Sequence, residues 1–161
     1  MTIISSKPFS RPSPLSAAPS AAVPEPSSPV EDTADLSVLR SFGSTAAVLI
    51  EPPHAVISWY GEVDLATAPD CRRSAEEAMA YGPKVVLLDL RAVDFMDSTG
   101  LAIIGLLLGR CRDTGGSLML VEPAPTVCTV LRITGFLNAV SVVRADELPA
   151  DLGRLLPQEA A

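Results

Sequence analysis

The chain has 161 residues, which is enough for one domain with a substantial core and too few for two. Its 19 Asp and Glu residues outnumber its 12 Lys and Arg residues, so the formal net charge is −7 at pH 7. This balance gives no basic field that could attract a phosphate backbone or an anionic bilayer, which argues against nucleic acid and membrane surfaces as partners.

The sequence lacks the usual features of a membrane-spanning, secreted or metal-binding protein. Its longest near-apolar run, Leu101–Gly109, is far shorter than the roughly 20 residues that cross a bilayer. Prolines interrupt the N-terminal stretch where a signal peptide needs an apolar run. Cys71, Cys111 and Cys128 are odd in number and widely spaced, without a CxxC pair, which is typical of reduced core thiols. We therefore predict a cytoplasmic protein without a metal site.

The first 44 residues differ in composition from the rest of the chain. They hold seven of the 15 prolines and 11 serines, without a run of aromatic or β-branched residues. Such a segment cannot bury enough apolar surface to offset the entropy lost on ordering. The sequence therefore predicts a disordered tail over residues 1–44.

After this tail, short apolar runs alternate with turn signals. Ala46–Ile50 and Ala55–Tyr60 flank a Pro-Pro-His turn and predict two adjacent strands. Thr67 and Asp70 have the spacing of a capping box, and apolar residues then recur every three to four positions. This pattern predicts a first helix that ends at Gly82.

In the second half of the sequence, continuous apolar runs alternate with helical patterns. The predicted elements are the strand Val85–Leu90, the helix Ser98–Arg112, the strand Leu118–Val121, a helix from Pro125 to Gly135 and a short strand Ala139–Val143. Such alternation after an initial strand pair predicts a single α/β domain over residues 45–143, with a small mixed sheet and helices packed on it. Residues 144–161 are predicted to form a C-terminal extension with a short helix near Asp151–Leu156.

The stretch DFMDSTGL, Asp94–Leu101, places acids, hydroxyls and a glycine between a predicted strand and a predicted helix. Ser98 falls at or beside the N-cap of that helix, near the edge of the sheet. A structural explanation is that Ser98 only caps the helix, which is worth about 1 kcal/mol. The other explanation is that its hydroxyl is functional.

A serine hydrolase that uses Ser98 would lack essential groups. The sequence contains no G-x-S-x-G elbow, and His54, the only histidine, lies in the predicted Pro-Pro-His turn with no evident route to Ser98. We therefore predict a protein without enzymatic activity and keep the hydrolase as a remote alternative.

Four segments carry a wider resemblance. They are GEVDLATA at Gly61–Ala68, VVLLDLRAVDFMDSTGLAIIGLL at Val85–Leu107, GSLMLVEP at Gly116–Pro123 and VLRITGF at Val130–Phe136. In order and spacing they resemble the STAS domain of bacterial anti-sigma factor antagonists over residues 45–143. The G-E-V-D motif combined with the later D-S-T-G motif is more specific than either alone. The resemblance implies a small mixed sheet with helices on one side.

The resemblance also implies a function. The unphosphorylated antagonist binds an anti-sigma factor that is itself a serine kinase, which releases the sigma factor, and phosphorylation of the motif serine ends this binding. By position that serine is Ser98. The implied partner-binding residues are Asp64, Asp97, Ser98, Thr99, Gly100 and Leu101. The protein would need no cofactor, since ATP and magnesium belong to the kinase, and a serine phosphatase would restore Ser98.

Two segments depart from the family pattern, namely the Pro/Ser-rich tail and the C-terminal extension. They leave an alternative open, in which the chain is a STAS scaffold or transport-accessory binding protein that does not act on a sigma factor. The absence of an apolar span in the sequence argues only against the transporter-fused form of that alternative.

Overall fold

The computed structural model describes residues 37–158. Within them the helices and strands are β1 Val38–Phe42, β2 Ala46–Glu51, β3 His54–Val63, α1 Ala68–Ala80, β4 Val85–Met96, α2 Ser98–Asp113, β5 Ser117–Val121, α3 Pro125–Ile133, β6 Ser141–Val143 and α4 Ala150–Gly153. Single 3₁₀ turns lie at Phe136–Asn138 and Ala145–Glu147. Most of the predicted disordered tail lies outside the described residues.

The strands form one mixed sheet in the order β1-β2-β3-β4-β5-β6. β1, β2 and β3 pair antiparallel, whereas β3 to β6 pair parallel. Each parallel connection contains a helix and steps in the same direction along the sheet. Because such connections are right-handed in nearly all proteins, α1, α2 and α3 lie on the same face. The predicted α/β class with a mixed sheet is confirmed.

The face of the sheet that α1, α2 and α3 cover, here called the front face, carries the main core. Trp59, Leu88 and Leu120 of the sheet are fully buried there with Ile104 of α2 and Leu131 of α3. Burial of such large side chains contributes about 1.5–3 kcal/mol each. The core therefore holds α2, and with it the DSTG segment, firmly against the ends of the central strands.

The opposite face, here called the back face, is also covered, which corrects the expectation of layers on one side only. Leu152, Leu155 and Leu156 pack there against Val56 and Leu87 in a second apolar cluster. The three leucine side chains are only 5–7% exposed. Residues 144–158 are thus part of the folded domain rather than an extension of it.

Two polar contacts tie the same C-terminal segment to the sheet. Arg91 donates a hydrogen bond from Nη2 to the carbonyl oxygen of Pro157 at 2.8 Å, while its guanidinium also pairs with Asp89. Arg154 forms an ion pair with Glu51 at the end of β2. These contacts and the leucines place the C-terminal boundary of the domain beyond the predicted residue 143.

The N-terminal boundary also differs from the prediction. Residues 38–42, which were predicted to belong to the tail, form the edge strand β1 and pair with β2 from Val38↔Ile50 to Phe42↔Ala46. Val38 and Phe42 pack against the main core, whereas the residues between them are exposed. An edge strand that buries only its ends has a weak hydrophobic pattern, which explains why the sequence did not reveal it.

The predicted core position is confirmed for two of the three cysteines. Cys71 and Cys111 are buried, Cys128 is half-buried, and all three are free thiols. Burial raises the pKa of the Cys71 thiol to about 12, with a further contribution from the negative charges of Asp70 and Asp64. Cys71 and Cys111 thus behave as small core residues, whereas Cys128 lies outside the core clusters.

Candidate functional site

The carboxyl ends of β3 and β4 meet at one edge of the sheet, and the DSTG segment lies at that edge. The strands run in parallel register with Val63 beside Met96, and the Asp97 amide donates to the Val63 carbonyl oxygen at 3.1 Å. β4 extends six residues beyond the predicted Leu90. Its outer half mixes buried and exposed residues, so the continuous apolar run used to predict the strand ends too early.

Asp97, rather than Ser98, caps α2. Its backbone is extended, and its Oδ1 accepts a hydrogen bond from the Thr99 amide at 2.8 Å and another from the Thr99 hydroxyl. The Thr99 hydroxyl bond, followed by bonds from backbone amides at the helix start, holds the pKa of Asp97 below its usual value. Asp97 is therefore ionised near neutral pH, and its carboxylate caps the first turn of α2.

Ser98 is the first residue of α2, and its side chain is exposed. Within residues 37–158, no protein group forms a hydrogen bond with its hydroxyl, whereas the half-buried Thr99 hydroxyl is bound to Asp97. A purely capping role therefore does not explain Ser98. Of the two neighbouring hydroxyls, Ser98 presents the accessible one.

Asp64 organises the loop between β3 and α1 beside this serine. Its Oδ1 accepts hydrogen bonds from the amides of Ala66 at 3.0 Å and Thr67 at 3.1 Å. The Thr67 hydroxyl donates to the carbonyl oxygen of Glu62 at 2.9 Å, and Thr67 makes no side-chain capping bond to α1. The predicted capping box is therefore wrong, because the Thr67 hydroxyl is used within the loop and the Asp70 carboxylate contacts Thr45 and Arg73 instead.

We expect Asp64→Ala to lower the free energy of unfolding by about 1 kcal/mol, because two loop amides lose their acceptor. Asp64→Asn keeps an Oδ1 acceptor and should recover most of this loss. Urea denaturation of the two variants checks the prediction. An alanine variant as stable as the wild type would show that water replaces the carboxylate without cost.

Gly100 and Leu101, which were predicted to contact a partner, face the interior instead. Gly100 is buried, and a Cβ built on it would lie 2.5 Å from Met96 Cγ and 2.9 Å from Val63 Cγ1. Leu101 is 7% exposed and belongs to the main core. The glycine thus allows α2 to approach the strand ends, and both residues are buried.

A pair of glycine substitutions in α2 tests this close approach. Gly100→Ala should destabilise the protein by about 1–3 kcal/mol, because the new methyl group overlaps Val63 and Met96. Gly109, in the same helix, has no atom within 4 Å of a built Cβ. Gly109→Ala should therefore stabilise the helix by about 0.5–1 kcal/mol. Thermal denaturation gives both values, and a neutral Gly100 variant would contradict the packing argument.

Carboxylates and two exposed apolar side chains lie in the two segments that meet at the edge of the sheet near Ser98. Glu62 and Asp94 are exposed, and Asp64 and Asp97 lie closer to the backbone of the loop and helix. Leu65 is 76% exposed and Phe95 is 50% exposed. No pattern in the sequence singled out Leu65 or Phe95. Their positions were nevertheless informative, because each lies directly beside an acidic motif at the end of a strand. Residues at such strand ends and in the loops that follow often contact partners.

The arrangement does not support the hydrolase alternative. His54 lies at the start of β3, whereas Ser98 lies beyond the end of the adjacent parallel strand. A ten-residue strand such as β3 spans about 30 Å, so the imidazole is far outside hydrogen-bonding reach of the serine hydroxyl. Within residues 37–158, no group of three or more His, Cys, Asp or Glu side chains could hold a metal ion. No helix in the same range is long and apolar enough to cross a membrane.

Comparisons with known proteins agree on one family. A family model of the STAS domain matches residues 45–147. BtrV of Bordetella bronchiseptica is 32% identical over 90 residues, which are 56% of this chain and 78% of BtrV. An anti-sigma F factor antagonist of Lysinibacillus sphaericus is 32% identical over 84 residues, 50% of this chain and 69% of the relative.

A similar solved structure is that of the Bacillus cell fate determinant SpoIIAA in its phosphorylated form. It superimposes with a TM-score of 0.52 at 19% sequence identity, over 74% of this chain and 99% of SpoIIAA. At this identity the likeness concerns the fold alone. The family match covers more than half of the chain and includes both the G-E-V-D loop and the start of α2. The chain therefore belongs to the STAS domain family.

Proposed function

We propose that the protein is an anti-sigma factor antagonist whose unphosphorylated form binds a serine-kinase anti-sigma factor and thereby releases a sigma factor. Phosphorylation of Ser98 by that kinase switches the binding off. The name of the Lysinibacillus sphaericus relative supports the general role. The observation that supports the site is the exposed hydroxyl of Ser98, which has no hydrogen-bond partner among residues 37–158.

The position of Ser98 is suited to a change of charge. A phosphate group adds about −1.5 to −2 charges at neutral pH. The positive end of the α2 dipole and the first amides of the helix tolerate a negative group there. The carboxylates of Asp97 and the nearby Asp94 oppose it. The fold is thus expected to persist while the surface around Ser98 becomes strongly negative.

The division of labour between the two proteins follows from this chemistry. The kinase supplies ATP and magnesium, and the antagonist supplies only an accessible hydroxyl, so the antagonist needs no catalytic group or cofactor of its own. A serine phosphatase returns Ser98 to its active form. A phosphoester on an exposed helix start is accessible to such an enzyme.

The test uses the full chain and each serine-kinase anti-sigma factor of the same organism, purified separately. With ATP and magnesium, mass spectrometry should locate one phosphate on Ser98 and none on Thr99. Calorimetric titration should show binding before phosphorylation and little afterwards. A Thr99→Val variant, which keeps Ser98, is the matched control and should still be phosphorylated. Binding to transport proteins without binding to any such anti-sigma factor would contradict the proposal.

A further inference from the structure

We propose that Leu65 and Phe95, which lie near Ser98 at the same edge of the sheet, form the apolar contact of the surface that docks on the anti-sigma factor. This inference rests on the proposed function and identifies residues that would determine affinity for the partner. The partner that fits this surface presents an apolar patch flanked by Lys or Arg side chains.

The chain places both side chains close to the serine. Phe95 precedes Ser98 by three residues, which corresponds to at most about 10 Å between their Cα atoms. Leu65 follows Val63 by two residues, and the Val63 carbonyl oxygen accepts the hydrogen bond of the Asp97 amide at 3.1 Å. Leu65, in the loop after β3, and Phe95, at the end of strand β4 before Met96, therefore both lie near the start of α2 at the same edge of the sheet.

Their exposure contrasts with the burial of the residues beside them. Val63 is fully buried and Met96 is 4% exposed, whereas Leu65 is 76% and Phe95 50% exposed. A single exposed leucine or phenylalanine on a surface is ordinary. Here two of them lie beside an exposed hydroxyl that the domain does not use internally. Large side chains in such a position provide most of the contact energy when a partner removes them from water.

The negative charge around Leu65 and Phe95 indicates which kind of partner surface would bind there. The segments 61–69 and 92–109 contain no Lys or Arg, whereas they contain Glu62, Asp64, Asp94 and Asp97. Such an acidic rim attracts a basic surface and accelerates its encounter with the site. Leu65 and Phe95 then supply the area that is desolvated in the complex.

The same charges exclude a second copy of this chain as the occupant. In a two-fold contact through this surface, each acid would face the equivalent acidic rim of the other copy. Juxtaposed like charges weaken an interface substantially. A partner with basic residues remains the occupant that the surface fits.

The experiment measures affinity between the full chain and the anti-sigma factor that binds the wild type, by calorimetric titration. Leu65→Ala and Phe95→Ala are each expected to weaken binding by about tenfold to 100-fold, as for central contact residues. The matched controls are Leu39→Ala, a 71% exposed leucine on β1, and Tyr81→Ala, a 44% exposed aromatic residue at the far end of α1. Both controls should bind within about twofold of the wild type.

The outcomes separate this inference from the proposed function. If the wild type binds and Ser98→Asp does not, but both alanine variants bind like the wild type, the inference is overturned and the function stands. If no anti-sigma factor binds the wild type, both are overturned. Thermal denaturation shows whether each variant is folded. Should Phe95→Ala unfold, the more exposed Leu65→Ala decides the result alone.

Discussion

Ser98→Asp is expected to lose most of its affinity for the anti-sigma factor and to remain as stable as the wild type. Aspartate at the first position of α2 interacts favourably with the helix dipole by about 0.3–1 kcal/mol, which offsets repulsion from Asp97. At the contact surface, the added charge should weaken binding by about tenfold to 100-fold. The loss can be smaller than that caused by phosphate, because aspartate carries one charge and fewer acceptor oxygens.

Ser98→Ala separates the loss of the hydroxyl from the gain of charge. Because the hydroxyl has no hydrogen-bond partner among the described residues, its removal should change the free energy of unfolding by less than about 0.5 kcal/mol. The variant should bind the anti-sigma factor and resist phosphorylation. Calorimetric titration and phosphate analysis of both variants check these outcomes. An aspartate variant that binds as tightly as the wild type would contradict the switch.

Leu155→Ala is expected to lower the free energy of unfolding by about 2–4 kcal/mol, although it lies outside the matched family region. Leu155 is 5% exposed and belongs to the cluster on the back face with Val56 and Leu87. Its truncation removes apolar contacts and leaves a cavity between the C-terminal segment and the sheet. A loss of this size is a large fraction of the stability of a small domain, about 5–15 kcal/mol.

The control for Leu155→Ala is the same substitution at Leu39. Leu39 is 71% exposed, so its truncation should change stability by less than about 0.5 kcal/mol. Urea denaturation of both variants gives the comparison. If Leu155→Ala were as stable as Leu39→Ala, residues 144–158 would behave as the loose extension that the sequence suggested.

Much of the architecture could be predicted from local pattern. Val85–Leu90 and Leu118–Val121 are short, mostly apolar runs bounded by turn signals. Such runs favour strands that are buried on both faces, and both segments are strands. The segment from Ser98 has apolar residues at helical spacing and cationic residues in its last turn, and α2 follows it closely. The motif residues of DSTG likewise placed Ser98 at the start of this helix.

The assignments that failed depend on contacts between distant segments. Asp97 or Ser98 could each cap a helix by sequence, and the hydrogen bond from Asp97 to Val63 helps to place Asp97 at the cap. The local sequence does not distinguish whether Gly100 is exposed or buried. The packing of Val63, 37 positions earlier, together with Met96 makes it an interior close approach.

The sequence by itself determined most of the strands and helices, though not β1 or the outer half of β4, and which serine begins α2. Those properties follow from periodicity and from turn and cap chemistry within about ten residues. The tertiary structure alone decided which groups near Ser98 remain exposed. It also decided that the N-terminal end of the domain pairs with the edge of the sheet and that the C-terminal end covers its back face. Leu152, Leu155 and Leu156 find their partners on β3 and β4, at separations that no local pattern encodes. Burial of a short amphipathic segment depends on the apolar face it meets, and that face exists only after the sheet has formed.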